Sequence, residues 1–389
     1  MGGIQNYLSW EEKISKGRAS NRLKRLVGEL FNNNRERRYF SIFKQQPELI
    51  GRTRAGDPLK CITSFDGAKI AYSETRPEKS TNTCSVPIVI LSGYLCFPNI
   101  WRYFVDELKR HFRIIRIRTR GHFESELGGS NAYTYIKDAA ADLEVIRLSE
   151  NIDKMILIGH SMGGLISLNY ISQYGHNNLS GLVLVSSPFG DPFKTTYFGN
   201  LEKLGSIFDY LSYLLQLSNI DILKRMLGKS AIVKRISYSL ITGTLLKNSL
   251  NGIDDKELEY LIKLGSTIRE ETIAIALRAM RKLDLKKCVE EISIPCLIIA
   301  GINDLIVNWK NAVRVFEIIK SNNGNANLCF LPCGHMPMME FPNAFNYSVI
   351  NFMCSNIREV GENEEIRKIL NTKSKDWNLL MPMLEDINK

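Results

Sequence analysis

The 389-residue chain has no run of 18 or more apolar residues, no Cys-x-x-Cys pair and only five histidines. The first absence argues against a transmembrane helix; the most apolar stretch of the middle, Ile207 to Leu217, is short and carries Asp209. The other two disfavour a zinc site, so no metal is expected. The opening residues lack an apolar block followed by a small-residue cleavage site, and they do not read as a secretory signal. No zinc finger or RNA-recognition signature is present, and no nucleic-acid partner is expected. Internal repeats and low-complexity tracts are also missing. The eight cysteines are scattered, several inside apolar runs where a thiol acts as a small hydrophobe. A reducing cytoplasm is the simplest compartment for such a chain.

What is present is ordinary globular composition, 44% apolar and 24% charged, with a net charge of +10. The charge is uneven. Residues 1–60 hold 13 Lys/Arg against 6 Asp/Glu, and the remainder is close to neutral. Basicity is thus a property of an N-terminal extension. Such a segment suits a solvated helical face, an acidic carrier protein or an anionic membrane surface.

The extension reads as helical over 10–45, with Leu23, Leu26, Val27, Leu30 and Phe31 at helical spacing. Pro47, Gly51, Gly56 and Pro58 suit a linker, which closes a first region at residue 58. From Leu59 the pattern changes to a hairpin with Asp66-Gly67 at its turn. Short Val/Ile/Leu strands then alternate with helices: strands over 87–91, 112–117, 155–159 and 182–185, and later 296–300 and 328–331. Helices fall over 100–109, 135–148, 162–174, 310–319 and 344–352. This is the pattern of an α/β core with a mostly parallel sheet covered on both faces, built from 59–190 and 286–355. Between them, 191–285 shows no clear strand and helical windows at 201–217, 221–247, 255–264 and 267–283. It reads as a helical cap. Residues 356–389 read as a charged tail with a helix at 363–370.

One motif carries chemistry. Gly159-His160-Ser161-Met162-Gly163-Gly164 follows an apolar strand and precedes an apolar helix. A serine on a sharp strand-to-helix turn is exposed and activated, and the following helix points free N–H groups at a developing oxyanion. A serine nucleophile needs a base, and the base an orienting acid. In this architecture both follow the serine in chain order, which leaves His176 and His335. His176 ends the helix after the turn, far from the strand tips. His335 follows a strand at its C-terminal end, where such sites assemble. For the acid, Asp304 in the turn after CLIIAG leads, and Asp191 after LVLVSSP is the alternative. An oxyanion hole needs two backbone N–H groups. Met162 supplies one, and the loop after the 87–91 strand the other, from Tyr94 with Leu95 as alternative.

These residues resemble the α/β-hydrolase superfamily, in its lidded esterase and lipase-like branch, over about residues 60–355. The marks are Ser92-Gly93-Tyr94, Arg120-Gly121-His122-Phe123-Glu124-Ser125, the serine turn, the acid turn at Asp304, and Gly334-His335 before Glu340-Phe341-Pro342. The resemblance implies an eight-stranded sheet, a catalytic triad of Ser161, Asp304 and His335, and no cofactor. It implies cleavage of a carboxylic ester or thioester through an acyl-enzyme, the substrate being largely hydrophobic under an apolar cap. A carbon–carbon bond hydrolase, or a receptor-like protein binding a small hydrophobic ligand, would use the same scaffold. Epoxide hydrolases and haloalkane dehalogenases of this fold place a carboxylate where Ser161 stands. The chain departs from the family pattern at Ser92, where His is usual, at Arg118, where Asp is usual, and at Phe123, where Gly is usual. His122 is expected to brace its loop and His160 to pack or line the pocket.

Overall fold

Strands β3 (Ile88–Leu91), β4 (Ile114–Ile117), β5 (Met155–His160), β6 (Leu179–Val185) and β7 (Cys296–Gly301) are buried along almost their whole length. Burial on both faces is what their mainly apolar sequences require. Together with β1 (Leu59–Thr63), β2 (Lys69–Thr75) and β8 (Ala326–Leu331) they form one eight-stranded sheet in the order β1-β2-β4-β3-β5-β6-β7-β8. Only β2 runs antiparallel to its neighbours β1 and β4. The remaining pairs, from β4 through β8, are parallel. This computed structural model describes residues 59–77, 83–191 and 268–373, all within the unit Gly51–Lys373. The expected extension helix, the linker and the windows at 201–217, 221–247 and 255–264 lie outside the described residues.

Helices α1 (Arg102–Leu108), α2 (Tyr135–Ser149), α3 (Met162–Tyr174), α4 (Glu270–Met280), α5 (Lys286–Glu290), α6 (Lys310–Ser321), α7 (Pro337–Glu340), α8 (Pro342–Asn356) and α9 (Arg358–Gly361) cover the sheet. α2 packs on α3, α3 on α5 and α5 on α6, while α1 packs with α8. The strand order reverses between β3 and β5: the chain goes from β3 out to β4 and returns past β3 to β5. Loops leaving the C-terminal ends of those two strands part there and open a crevice. The register sets Leu91 beside Gly159, so Ser92-Gly93 and His160-Ser161 emerge side by side.

Two boundaries of the sequence reading can be followed in the structure. The chain leaves the sheet at Gly190 and returns at Asp284 through an antiparallel bridge, closed by Leu285 N–H to the Phe189 carbonyl. α4, inside the expected cap window 267–283, packs on α2 of the core. Beyond Asn356 the chain is helical again at α9 and over 364–373, and it buries Val360 and Ile366. That part of the expected tail is core, because its apolar residues sit at helical spacing among the charges. No described helix is long and apolar enough to cross a membrane.

At the end of the sheet away from the crevice, Glu74 collects three cations. Lys60 Nζ lies at 2.5 Å, Arg76 Nη2 at 2.8 Å and Arg113 Nε at 2.5 Å. Burial alone would raise the Glu74 carboxyl, but hydrogen bonds from Lys60, Arg76 and Arg113 outweigh it and hold it down to about 2. Glu74→Ala should lower the unfolding free energy at pH 7 by about 2 kcal/mol, since three partly exposed cations lose one buried anion. The stabilisation is present above 4.5, the ordinary value, and is lost as pH falls toward 2. Urea denaturation of wild type and variant should therefore converge over that window.

Candidate active site

Ser161 stands between β5 and α3 with φ 53° and ψ −117°. That region is costly for any residue with a Cβ, by about 1–2 kcal/mol. The turn is locked from both sides. The Ser161 N–H donates to the Val185 carbonyl at 2.9 Å, and its own carbonyl accepts from the Gly164 N–H at 2.9 Å. Gly163 is needed because a Cβ there would lie 2.2 Å from the Leu91 carbonyl oxygen. Ser161 is 8% exposed, and among the described residues its hydroxyl has no hydrogen-bond partner.

The expected acid and base lie at the strand tips two and three places from β5. Asp304 follows β7 and is fully buried; His335 follows β8 and is 4% exposed. The His335 Nδ1 lies 2.7 Å from Asp304 Oδ2. The other carboxylate oxygen of Asp304 accepts the N–H groups of Ile306 and Val307 at 2.8 and 2.9 Å. This fixes the tautomer: Nδ1–H faces the carboxylate and Nε2 is left as the proton acceptor. The two loops are tied directly. Asn303 N–H donates to the Cys333 carbonyl at 3.0 Å, and Gly301 packs so closely that a Cβ would meet the Gly334 oxygen at 2.0 Å. The carboxylate that meets His335 is thus that of Asp304. Asp191, the alternative acid, lies half-buried just after β6.

The oxyanion loop is equally specific. Leu95 has φ 59°, and its N–H is directed at His122 Nε2 at 3.4 Å. The Tyr94 N–H has no partner among the described residues. The Tyr94 hydroxyl is anchored on the Ile273 carbonyl in α4 at 2.9 Å. His122 braces the loop from below, and burial lowers its imidazole to about 4, so it is neutral at pH 7. Arg120, fully buried, holds that segment with a two-pronged bond to Asp142 at 2.9 and 2.6 Å. Two of the three residues that depart from the family pattern, Arg118 and Phe123, meet here. Phe123, at φ 55°, packs edge-on to Phe97 at 4.8 Å, and Arg118 lies over the Phe97 ring while pairing with Glu124 at 2.5 Å.

Two residues around His335 exceed what the sequence suggested. Glu340 accepts the N–H of Gly334 at 2.9 Å and of Met336 at 3.1 Å. His160 Nε2 lies 2.8 Å from the His335 carbonyl oxygen. The only sequence hint of the first was a lone acid between apolar residues, Met338-Met339-Glu340-Phe341.

A serine forced into left-handed backbone where a strand turns into a helix is the nucleophile-elbow arrangement, here at the switch point of a mostly parallel sheet. That pairing defines the α/β-hydrolase class of fold. A family model described as the alpha/beta hydrolase fold matches residues 86–342, and the chain belongs to that family. A curated relative, the pimeloyl-[acyl-carrier protein] methyl ester esterase of Wigglesworthia glossinidia brevipalpis, is 24% identical over 261 residues, 67% of this chain and 91% of that protein. Among solved structures, a thermophilic esterase from Thermogutta terrifontis shares 18% identity at a TM-score of 0.58, covering 77% of this chain and 99% of its own. An esterase from Exiguobacterium antarcticum shares 20% at 0.57, covering 75% and 98%. At these identities the structural likeness concerns the fold.

The surroundings of Glu340 have a measurable consequence. Burial, with the Asp304 charge adding to it, raises its carboxyl to about 8 although two backbone N–H groups oppose the shift. The folded state then keeps a proton that the unfolded chain loses near 4.5, so stability falls as pH rises through that window to 8. Glu340→Gln should flatten the fall. Thermal unfolding midpoints at pH 5 and pH 8 check this: the difference between them should be smaller in the variant.

Proposed function

We propose that the protein is a serine hydrolase that cleaves a carboxylic ester or thioester of a largely hydrophobic substrate. The observation that carries this reading is the buried Asp304–His335 bond at 2.7 Å, at strand tips two and three places from the strained turn of Ser161. His335 Nε2 takes the Ser161 proton as Oγ attacks the carbonyl carbon. The carbonyl electrons move onto oxygen, where the N–H groups of Met162 and Tyr94 meet the charge. The tetrahedral intermediate collapses, His335 returns the proton to the leaving alcohol or thiol, and an acyl-Ser161 remains. Water attacks it by the same path, with the roles of His335 repeated in reverse. Every step is served by this chain's own groups.

Substrate class follows from the sequence of 191–285, rich in Leu, Ile and Tyr, read as a helical cap over an apolar pocket. The basic residues 1–60 suit an acyl group delivered on an acidic carrier protein or taken from an anionic membrane surface. The relative whose named substrate is an acyl-carrier-protein ester supports the first.

On p-nitrophenyl esters, Ser161→Ala should reduce kcat by at least about 10⁴-fold and Asp304→Asn by about 10³- to 10⁴-fold. Among acetyl to palmitoyl esters, kcat/KM should favour medium or long chains. Full activity of Ser161→Ala would remove the proposed nucleophile, and strict preference for acetyl would remove the hydrophobic substrate. Deleting residues 1–58 should weaken turnover of carrier-bound acyl groups and leave small soluble esters unaffected.

A further inference from the structure

His335 reaches the site from a loop of only a few residues between β8 and α7, and Asp304 fixes only one nitrogen of its ring. The rest of its placement must come from the backbone. We propose that Glu340 and His160 are positioning residues for His335, Glu340 by binding the backbone N–H groups on either side of it and His160 by binding its carbonyl. The inference rests on the serine-hydrolase reading of the site.

Glu340 is 4% exposed and has no ion-pair partner among the described residues. Its two oxygens are used by Gly334 N–H and Met336 N–H, the amides that flank His335. A buried carboxyl without a cation is costly to ionise, and here burial, with the Asp304 charge adding to it, raises the group to about 8. The neighbours Met338 and Met339 are fully buried, so an apolar side chain would suit the packing at this place. What the carboxyl group supplies, and an apolar side chain cannot, is two oxygens that accept from the backbone N–H groups of the residues before and after the base.

His160 works from the opposite side. It is fully buried, and burial, with His335 adding to it, keeps its ring neutral at pH 7 by lowering it to about 3. A neutral imidazole has a single N–H. With a carbonyl as partner at 2.8 Å, that N–H is on Nε2 and is donated to His335. The other nitrogen, Nδ1, is buried without a hydrogen-bond partner, a second unfavourable feature retained at this place. The rings of His160 and His335 are 4.8 Å apart. The Nδ1 edge faces the oxyanion loop, where a Cβ on Gly93 would lie 2.8 Å from it. One side chain, adjacent in sequence to Ser161, therefore spaces the nucleophile turn from both the base loop and the oxyanion loop. A shift of about 1 Å in such a group costs on the order of 10²-fold in rate.

The test uses the full chain with Glu340→Gln, His160→Phe and His160→Gln. The Gln at 340 keeps size and one acceptor; the Phe at 160 keeps a ring without a donor; the Gln at 160 restores a donor. Measured are kcat and KM on p-nitrophenyl butyrate, the second-order rate of labelling by a fluorophosphonate, and urea denaturation. Glu340→Gln and His160→Phe should each reduce kcat and the labelling rate by about 10- to 100-fold with KM within about twofold, and His160→Gln should recover part of the loss. Rates within about threefold of wild type in both loss variants, or a change confined to KM, would overturn the proposal. Should Glu340→Gln not fold, the pair at 160 decides: equal rates for Phe and Gln would overturn it. Failure of the wild type to label at Ser161 would instead overturn the serine-hydrolase reading, and this proposal with it.

Discussion

The backbone at Ser161 holds φ 53°, a conformation that an L-residue adopts only when its surroundings leave no alternative. Much of the molecule is arranged to impose it. Val185 and Gly164 bind the peptide units of Ser161, and Gly163 lets the start of α3 slide against the end of β3. The helix that follows is among the most deeply buried in the chain, with Leu165, Ile166, Leu168 and Tyr170 all inaccessible. Packing of that helix on the sheet supplies the energy that holds the turn. The strain is local, and the support is distributed over the core.

Around that turn the structure spends buried polar groups sparingly. Asp304, His335, His160 and Glu340 form a set of acceptors and donors in which the amides of Gly334 and Met336 and the carbonyl of His335 each have a defined partner. A second set, Asp142, Arg120 and His122, reaches the other wall of the crevice and ends on the amide of Leu95. The first set holds the base loop and the second the oxyanion loop, and His160, which binds the His335 carbonyl and packs against Gly93, touches both.

Most of this was legible in the sequence, for reasons that can be stated. α3 was read over its observed span, 162–174, because a glycine turn fixes its start and Gly175 its end. The strands were read from unbroken Val/Ile/Leu runs, which only a two-sided burial allows. His335 emerged by elimination, since the other candidate after Ser161 lies at a helix end. Asp304 led Asp191 in the sequence although both follow strands, and the 2.7 Å bond sets the first on the imidazole. Glu340 and His160 stood in motifs that the sequence singled out, but the bonds they make to the His335 loop were not legible. Their partners are set by three-dimensional proximity, His160 being 175 positions from the carbonyl it binds. The helices after Asn356 were missed as part of the core because charged residues outnumber the few buried ones, Val360 and Ile366.

The central claim is that the carbonyl carbon of a substrate becomes bonded to Ser161. Rapid mixing of the protein with a p-nitrophenyl ester, acid quenching and peptide mapping test it directly. The account predicts a burst of about one p-nitrophenolate per protein and an acyl group on the peptide carrying Ser161. Turnover without a burst or adduct, or an acyl group on any other residue, would contradict it.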